Sequence, residues 1–318
     1  MLLFVYLIIG FLLLILGAGL FVKGSTELIK KTNIPVSITD FVIGTLGSSI
    51  PLCAVTIFAI IYGNGNLAIS TIIGSNLFSL LVIGGICSMI QIISLKKEII
   101  RMELPFYIFS GIIALFVSAD YLLHGKTAIN VLSRVDGILL LILCFLFYGS
   151  YMKMKWNKKE EKKTEEFEQN IPLGRSALTI LLGIAITVFG GRLVVKDSLE
   201  IVAGIGLNQN LTGLIIVAVG TSISKLIFSM KWMKQDKSNL LMENIIGSNI
   251  LNILLLLGIS VLIHPITIEM DHIYDFIFIN ISGILVWLFV NKTKTLSRMH
   301  GCGMISIYII YLVFKCIQ

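Results

Sequence analysis

Ile72-Ile73-Gly74-Ser75-Asn76 recurs without a gap as Ile245-Ile246-Gly247-Ser248-Asn249, 173 residues further along the chain. The same register holds far outside the pentapeptide. Gly10 and Gly17 match Gly183 and Gly190, Val22-Lys23 matches Val195-Lys196, and Ser25 and Glu27 match Ser198 and Glu200. Gly47 matches Gly220, Ser49-Ile50 matches Ser222-Ile223, and Gly85-Ile86 matches Gly258-Ile259. Two apolar segments share Leu and Ile through composition alone, but not Gly, Ser, Asn, Lys and Glu in one register. The chain is an internal duplication.

What is duplicated is a membrane segment. The 318 residues are 56% hydrophobic and 14% charged, whereas soluble domains carry roughly a quarter charged residues. Apolar runs of about 18 residues or more span a bilayer as helices. The runs lack the alternation of a barrel strand, which leaves helices as the spanning structure. Ten spans are predicted, near 2–22, 38–62, 67–93, 104–123, 136–152, 173–195, 211–233, 239–263, 273–290 and 303–317, with the fifth and tenth short. The fold class is therefore all-α integral membrane.

Between the halves lies Lys153–Asn170, which holds six Lys and five Glu and almost no apolar residue. It reads as a solvated linker. The organisation is a first five-helix half over 1–152 with a duplicated core near 38–93, a charged linker over 153–172, and a second half over 173–318 with its core near 211–263. Five spans is an odd number, so the second copy enters the membrane from the opposite side. Such inverted repeats are a transporter architecture, with the substrate site near the midplane between the halves.

Basic residues set the orientation. The Leu2–Val22 run has no basic residue before it, which predicts an uncleaved first helix with its N-terminus outside. Nineteen Lys and Arg then fall in inner loops and five (Lys126, Arg134, Arg192, Lys196 and Lys315) outside, with Lys225 alone inside a span. Both termini are expected outside, the 153–172 loop in the cytoplasm, and the protein in the plasma membrane. The net charge of +7 follows from this loop bias and predicts no nucleic-acid partner. The five Cys are scattered through apolar segments and carry no metal-ligand spacing.

Polar residues cluster where apolar ones would be cheapest. The first half has Thr45-Leu46-Gly47-Ser48-Ser49-Ile50-Pro51, then Gly74-Ser75-Asn76 and Ser79. The second has Gly220-Thr221-Ser222-Ile223-Ser224-Lys225, then Gly247-Ser248-Asn249 and Asn252. Gly beside hydroxyl residues, with Pro in one copy, should weaken the helix and free backbone carbonyls. Hard cations take such carbonyl and hydroxyl oxygens. Ser75 and Ser79 are four apart, as are Ser248 and Asn252, so each pair shares a helix face. Close helix packing is the better explanation of one isolated Gly-Ser-Asn. Two copies in matching spans favour a site.

These segments resemble the cation/calcium exchanger superfamily, which includes the sodium/calcium exchangers. Its two repeats carry a Gly-Thr-Ser-x-Pro-Glu type motif and a downstream Gly-Asn-x-x-Gly-Ser-Asn type motif. Here they read Gly47-Ser48-Ser49-Ile50-Pro51-Leu52 and Gly220-Thr221-Ser222-Ile223-Ser224-Lys225, followed by Ser70 to Asn76 and Glu243 to Asn249. Leu132-Ser133-Arg134-Val135-Asp136-Gly137 and Ser297-Arg298-Met299-His300-Gly301 also resemble family loops. The resemblance covers essentially the whole chain and implies the exchanger fold and alternating access between the halves. No nucleophile, base or metal cluster stands in the predicted spans, so no enzymatic activity is expected.

The chain departs from the family at the centre. Where the resemblance implies two facing Glu ligands, it has Leu52 and Lys225, and Ser224 replaces the second Pro. Ser79 stands where the family usually has Asn. The site candidates are Ser48, Ser49, Leu52, Ser75 and Ser79 against Thr221, Ser222, Lys225, Ser248 and Asn252. Neutral oxygens alone repay the dehydration of a divalent ion poorly. An ammonium about 4 Å from a single positive charge adds repulsion of about 4 kcal/mol at an effective dielectric of 20. The classical calcium site is expected to be lost.

Lys225 either snorkels to an interface, or its ammonium replaces the family's bound cation, or it carries a proton. Asp40 and Glu243 are its candidate partners, though both also suit an interface. His264, Glu269, Asp271, His272 and Asp275 crowd one outer loop, expected to be solvated. The reading is a secondary-active transporter with altered selectivity. An anion or small polar solute held by Lys225, or a non-transporting relative, are the alternatives. No cofactor is expected beyond a monovalent cation or a proton. The partners are the lipid bilayer and the transported ion or solute, and no oligomeric state is implied.

Overall fold

The computed structural model describes residues 2–29, 36–119, 130–157, 173–205, 209–234 and 238–317, with the side chains of 36–42, 205 and 239 excepted. Lys30, Lys31, Asp40, Lys126, Lys237 and the linker from 158 onward, all used in reading the sequence, lie outside the described side chains. Ten helices are long and apolar enough to span a membrane. They are α1 (Leu2–Ile29), α2 (Ile43–Ile61), α3 (Gly65–Ile90), α4 (Ile99–Ser118), α5 (Arg134–Trp156), α6 (Leu173–Gly204), α7 (Gln209–Lys234), α8 (Leu240–Ile263), α9 (Met270–Thr293) and α10 (Arg298–Ile317).

The expected spans are all present, and the differences lie at their ends. Helices α5 and α10 are full length, because basic ends such as Arg134, Lys155 and Arg298 prolong a helix past its apolar run while their heads reach polar surroundings. Helices α1 and α6 likewise run on through Lys23 and Lys196. The predicted unwinding at the hydroxyl motifs does not occur. The second helix continues through Pro51, and Thr221 and Ser224 return their hydroxyls to carbonyls of their own helix, at Val217 (2.9 Å) and Thr221 (3.1 Å). The helix distortions lie elsewhere, as π-helical turns at Phe78–Ile83, Asn252–Leu256, Thr212–Val217 and Ile99–Glu103. The first two follow the two Gly-Ser-Asn segments at matching positions.

Four short strands record the inversion. Strand β1 (Ile93–Ser94) joins α3 to α4, β2 (Val131–Leu132) precedes α5, β3 (Ile266–Thr267) joins α8 to α9, and β4 (Thr295–Leu296) joins α9 to α10. β1 pairs with β4 and β2 with β3, both antiparallel. Strands can pair only on one face of the membrane, and even numbers of helices, six and four, separate the partners. The duplication carries Ile93 onto Ile266, and these partner Leu296 and Leu132 respectively. Five helices separate them, so the two copies stand on opposite faces. The face where α5 ends and α6 begins is termed the linker face, and the other the far face.

The layers follow from helix composition. Helices α3 and α8 are the centre, with 89% and 83% of their apolar windows buried, against 28% for α1, α5 and α10. The outer helices are apolar all round and expose residues such as Leu16, Phe145 and Ile310, as lipid contact requires. The fifth helix of each half packs on the third helix of the other, α5 on α8 and α10 on α3. Gly137 meets Gly258 at one crossing and Gly85 meets Gly301 at the other. α1 and α6 lie along each other in an antiparallel pair with Gly10 against Gly190 and Gly17 against Gly183. Small residues let these backbones approach closely.

A Cβ on Gly17 would sit 2.7 Å from the Gly183 carbonyl oxygen and 2.8 Å from the Thr187 nitrogen, whereas one on Gly19 has nothing within 4 Å. Gly17→Ala should therefore lower stability by about 1–3 kcal/mol. Gly19→Ala, on the same helix, should be neutral or slightly stabilising, because Ala is the better helix former. Thermal unfolding of the two purified variants beside the parent checks the contrast.

Candidate ion-binding site

At the centre, the sequence repeat becomes a reciprocal pair. The side-chain amide of Asn76 donates to the backbone carbonyl of Asn249 at 3.1 Å, and that of Asn249 donates to the carbonyl of Asn76 at 3.1 Å. The two residues are counterparts under the duplication, so the pair lies on the pseudo-two-fold axis. A second ring of bonds surrounds it: Ser79 donates to Asn249 Oδ1 at 2.7 Å, and Asn252 donates to Asn76 Oδ1 at 2.8 Å. All four side chains are fully buried. The wide π turn begins just beyond Asn76 in one half and at Asn252 in the other.

Around this knot the symmetry breaks. Ser75 and Ser222 share a hydrogen bond of 2.9 Å between the halves. Their counterparts do not: Ser248 turns back to the carbonyl of Ile245 at 3.1 Å, and the Ser49 hydroxyl, though buried, has no hydrogen-bond partner among the described residues. Ser48 donates to Asn244 Oδ1 at 3.2 Å, while Thr221, its counterpart, bonds only within its own helix. Leu52 and Lys225 are 1% and 2% exposed, so Lys225 does not point to lipid. Its Nζ has no hydrogen-bond partner among the described residues, and neither do Thr45 Oγ1, Asn244 Nδ2 and Asn252 Oδ1. These are orphaned polar atoms on the signature helices, which is unusual for buried groups.

The site residues named from sequence thus divide into three sets. Ser75, Ser79, Ser222 and Asn252 bond across the interface between halves, as does Ser48. Thr221 and Ser248 bond within their own helices, and Ser49, Leu52 and Lys225 are buried without polar partners. Asn76, Asn249 and Asn244 were missed as site residues, although they stand inside the repeated motifs. The signal was available: an amide offers a donor for a facing carbonyl and keeps an acceptor for a second side chain, so one residue can bond twice across an interface. Among the described residues no group of three or more His, Cys, Asp and Glu is placed to hold a metal. The oxygens at the centre are neutral.

The carboxylates stand at the two faces instead. On the linker face, Glu243 pairs with Lys155 rather than with Lys225, and Tyr151 Oη lies 2.9 Å from Glu243 Oε1 and 2.7 Å from Glu103 Oε1. On the far face, Asp275 pairs with Lys315 at 2.9 Å and accepts from Tyr311 at 2.9 Å. His272 meets Ser70 at 3.1 Å. His272 and Asp275 are fully buried in α9, so the solvated loop expected there ends before them. The helix starts earlier than its apolar run because these polar residues find buried partners.

The chain resembles known proteins over almost all its length. A model of the sodium/calcium exchanger protein family matches residues 2–152 and 175–317. It is 26% identical over 316 residues to a putative antiporter, CaxA, of Alkalimonas amylolytica, with 96% of each chain covered. It is 25% identical over 348 aligned positions to the sodium/calcium exchanger MaX1 of Methanosarcina acetivorans, covering 98% of this chain and 97% of the relative. The inner membrane protein YrbG of Escherichia coli is 28% identical over 266 residues, covering 81% and 79%. Among solved structures, the sodium-calcium exchanger NCX_Mj soaked with sodium and calcium superposes with a TM-score of 0.69 at 24% identity, over 98% of both chains.

Asn76 and Asn249 each hold a partner that loses its bond if the amide is removed. Asn76→Ala and Asn249→Ala should each cost about 1–3 kcal/mol. Asn76→Ala should be the worse, since Asn252 then keeps no side-chain bond while Ser79 retains the Asn76 carbonyl at 3.2 Å. The double variant should cost less than the sum of the two, because the bonds are shared. Unfolding measurements on the three variants give the comparison.

Proposed function

Since the chain belongs to the sodium/calcium exchanger protein family, we propose that it is a secondary-active cation antiporter whose central site no longer holds calcium. Family membership makes it a transporter and an integral multi-pass membrane protein. The changed selectivity rests on one observation. At the place where the family resemblance implies a Glu ligand, the chain buries Lys225, with no hydrogen-bond partner among the described residues, and its counterpart Leu52 is buried too.

In this reading the Lys225 ammonium occupies the role of the bound cation, buried with no hydrogen-bond partner among the described residues. A calcium ion entering the same space would meet the ammonium and find no carboxylate, so both Coulomb repulsion and uncompensated dehydration oppose it. A monovalent cation or a proton meets a smaller penalty. The two halves, tied at the Asn76–Asn249 axis, rock about that axis to expose the site alternately. The excess of basic residues in its loops makes the linker face the cytoplasmic one. A second reading draws on the same unpaired ammonium: an anion or small polar solute would supply the charge that Lys225 lacks.

Proteoliposomes should show little sodium-driven calcium uptake. Robust uptake, abolished by changing Ser48 or Thr221, would show that another group supplies the acid. Leu52→Glu combined with Lys225→Glu should raise calcium affinity by about tenfold or more, equivalent to about 1.4 kcal/mol, measured by calorimetry. No gain would mean that the remaining oxygens cannot complete a calcium shell.

Lys225→Ala should leave a cavity and lower stability by about 2 kcal/mol or more, with sodium or potassium restoring part of it. Lys225→Met should keep the volume and lose any proton coupling. Melting temperatures across sodium, potassium and chloride concentrations, beside a pH titration of the parent, separate the cation and anion readings. Variants that match the parent throughout would remove Lys225 from the mechanism.

A further inference from the structure

Two glutamates and one phenol meet on the linker face in an arrangement that one phenolic proton cannot satisfy. Glu103 near the start of α4, Tyr151 near the end of α5 and Glu243 near the start of α8 are 2%, 1% and 3% exposed. Tyr151 Oη is 2.7 Å from Glu103 Oε1 and 2.9 Å from Glu243 Oε1. A phenol carries one proton and a carboxylate none. Two such contacts require two protons, so one carboxyl group must bring its own. Unprotonated, the second carboxylate would face the phenolic oxygen lone pair to lone pair.

The surroundings decide which one. Glu243 has a cation, since Lys155 pairs with it and also lies over the Tyr151 ring at 5.0 Å. Glu103 has no ion pair among the described residues, and its Oε2 is buried without a hydrogen-bond partner. The other charged or titratable groups acting on Glu103 are Lys155 itself, Tyr148 one turn before Tyr151, and Lys96 and Glu98 in the segment leading into α4, whose charges oppose each other. From α9 the nearby polar group is the Trp287 indole, which donates to the Ile100 carbonyl at 3.2 Å. An unpaired charge buried here would be costly.

The duplication supplies an internal control. Asp275 near the start of α9 lies within one residue of the position that the repeat register gives Glu103 in α4, and Lys315 follows Arg298 in α10 at the same spacing as Tyr151 follows Arg134 in α5. There the carboxylate meets the ammonium directly, at 2.9 Å. The far face balances its buried carboxylate with a cation, while the linker face offers Glu103 a phenol whose own proton serves Glu243.

We propose that Glu103 is a proton-binding site of this protein, holding a proton that it donates to Tyr151 while Tyr151 donates to Glu243. The bonds run in one line, from Glu103 through Tyr151 to Glu243 and Lys155, and tie α4 and α5 of the first half to α8 of the second. Loss of the proton leaves two carboxylates against one phenol and one ammonium, which loosens α4 from α8 on that face. The central site is one step away by two routes. Tyr148 donates to the carbonyl of Gly247 at 2.7 Å, and Asn244, the neighbour of Glu243, accepts from Ser48. The assignment does not depend on which ion the central site carries.

Infrared spectroscopy of the purified full chain in nanodiscs tests it directly. At neutral pH the parent should show the carbonyl stretch of a protonated carboxylic acid, shifting in deuterated water and lost as the pH is raised. Glu103→Gln, whose amide still donates to Tyr151, should remove that band, and Asp275→Asn should leave it. Tyr151→Phe should keep the band and move it to higher frequency, because the acid has lost its acceptor. Should Glu103→Gln fail to fold, the Tyr151→Phe shift decides. Absence of an acid band in the parent at neutral pH, its survival in Glu103→Gln, or no shift in Tyr151→Phe would each overturn the assignment.

Discussion

Two amides exchanging hydrogen bonds with each other's backbone hold the centre of this membrane protein together. Asn76 and Asn249 each give a side-chain N–H to the other's carbonyl at 3.1 Å. No water is available at membrane depth to satisfy a group left behind, so each bond also fixes where the partner helix must lie. The contact is self-complementary under a two-fold rotation, each side chain supplying the donor and each backbone the acceptor. Ser79 and Asn252 then use the remaining side-chain oxygens. The crossing of α3 with α8 is thereby fixed, and the other helices pack around that crossing.

Departures from symmetry carry the functional content. A perfect two-fold site would have matching groups at Leu52 and Lys225, at Ser49 and Ser222, and at Ser48 and Thr221. None of these pairs behaves alike: one member is charged or cross-bonded where the other is apolar, orphaned or turned back on its own helix. Symmetry therefore does not require an inward-facing and an outward-facing state of such a protein to be equal in energy, because exchanging the roles of the halves exchanges unlike groups. The same holds at the faces, where Asp275 meets Lys315 but Glu103 meets Tyr151.

Negative charge stands away from the midplane. The sequence keeps neutral oxygens in the middle, and the buried carboxylates Glu103, Glu243 and Asp275 stand near helix ends, each beside a phenol, an ammonium or both. Burying a carboxylate near a helix end costs less than at the centre, since water and basic side chains are closer. Helices α1 and α6 contribute little polar chemistry. Their glycine-lined contact joins the halves, and α1 reaches both signature motifs, Phe11 lying against Gly220 and Val22 against Gly47.

The sequence by itself determined the helices, the duplication and its inversion. Apolar length, basic loops and an ungapped offset are one-dimensional quantities, and five spans per half leaves no choice of handedness. It also marked where a site is to be expected, because Ser, Thr and Asn are costly at membrane depth unless they bond across helices or hold a ligand, and here they recur in both halves. It could not say which polar group meets which. Glu243 was a candidate partner for Lys225 and pairs with Lys155 instead, and His272 and Asp275 belong to a buried helix rather than to a loop. Asn76 and Asn249 were visible only as part of a motif. Such pairings depend on how helices from different halves cross and on where a π turn rotates one face by a fraction of a turn. A sequence read along one chain contains no distance between residues 173 apart; only the tertiary structure brings Asn76 onto Asn249, and leaves Lys225 buried with no hydrogen-bond partner among the described residues.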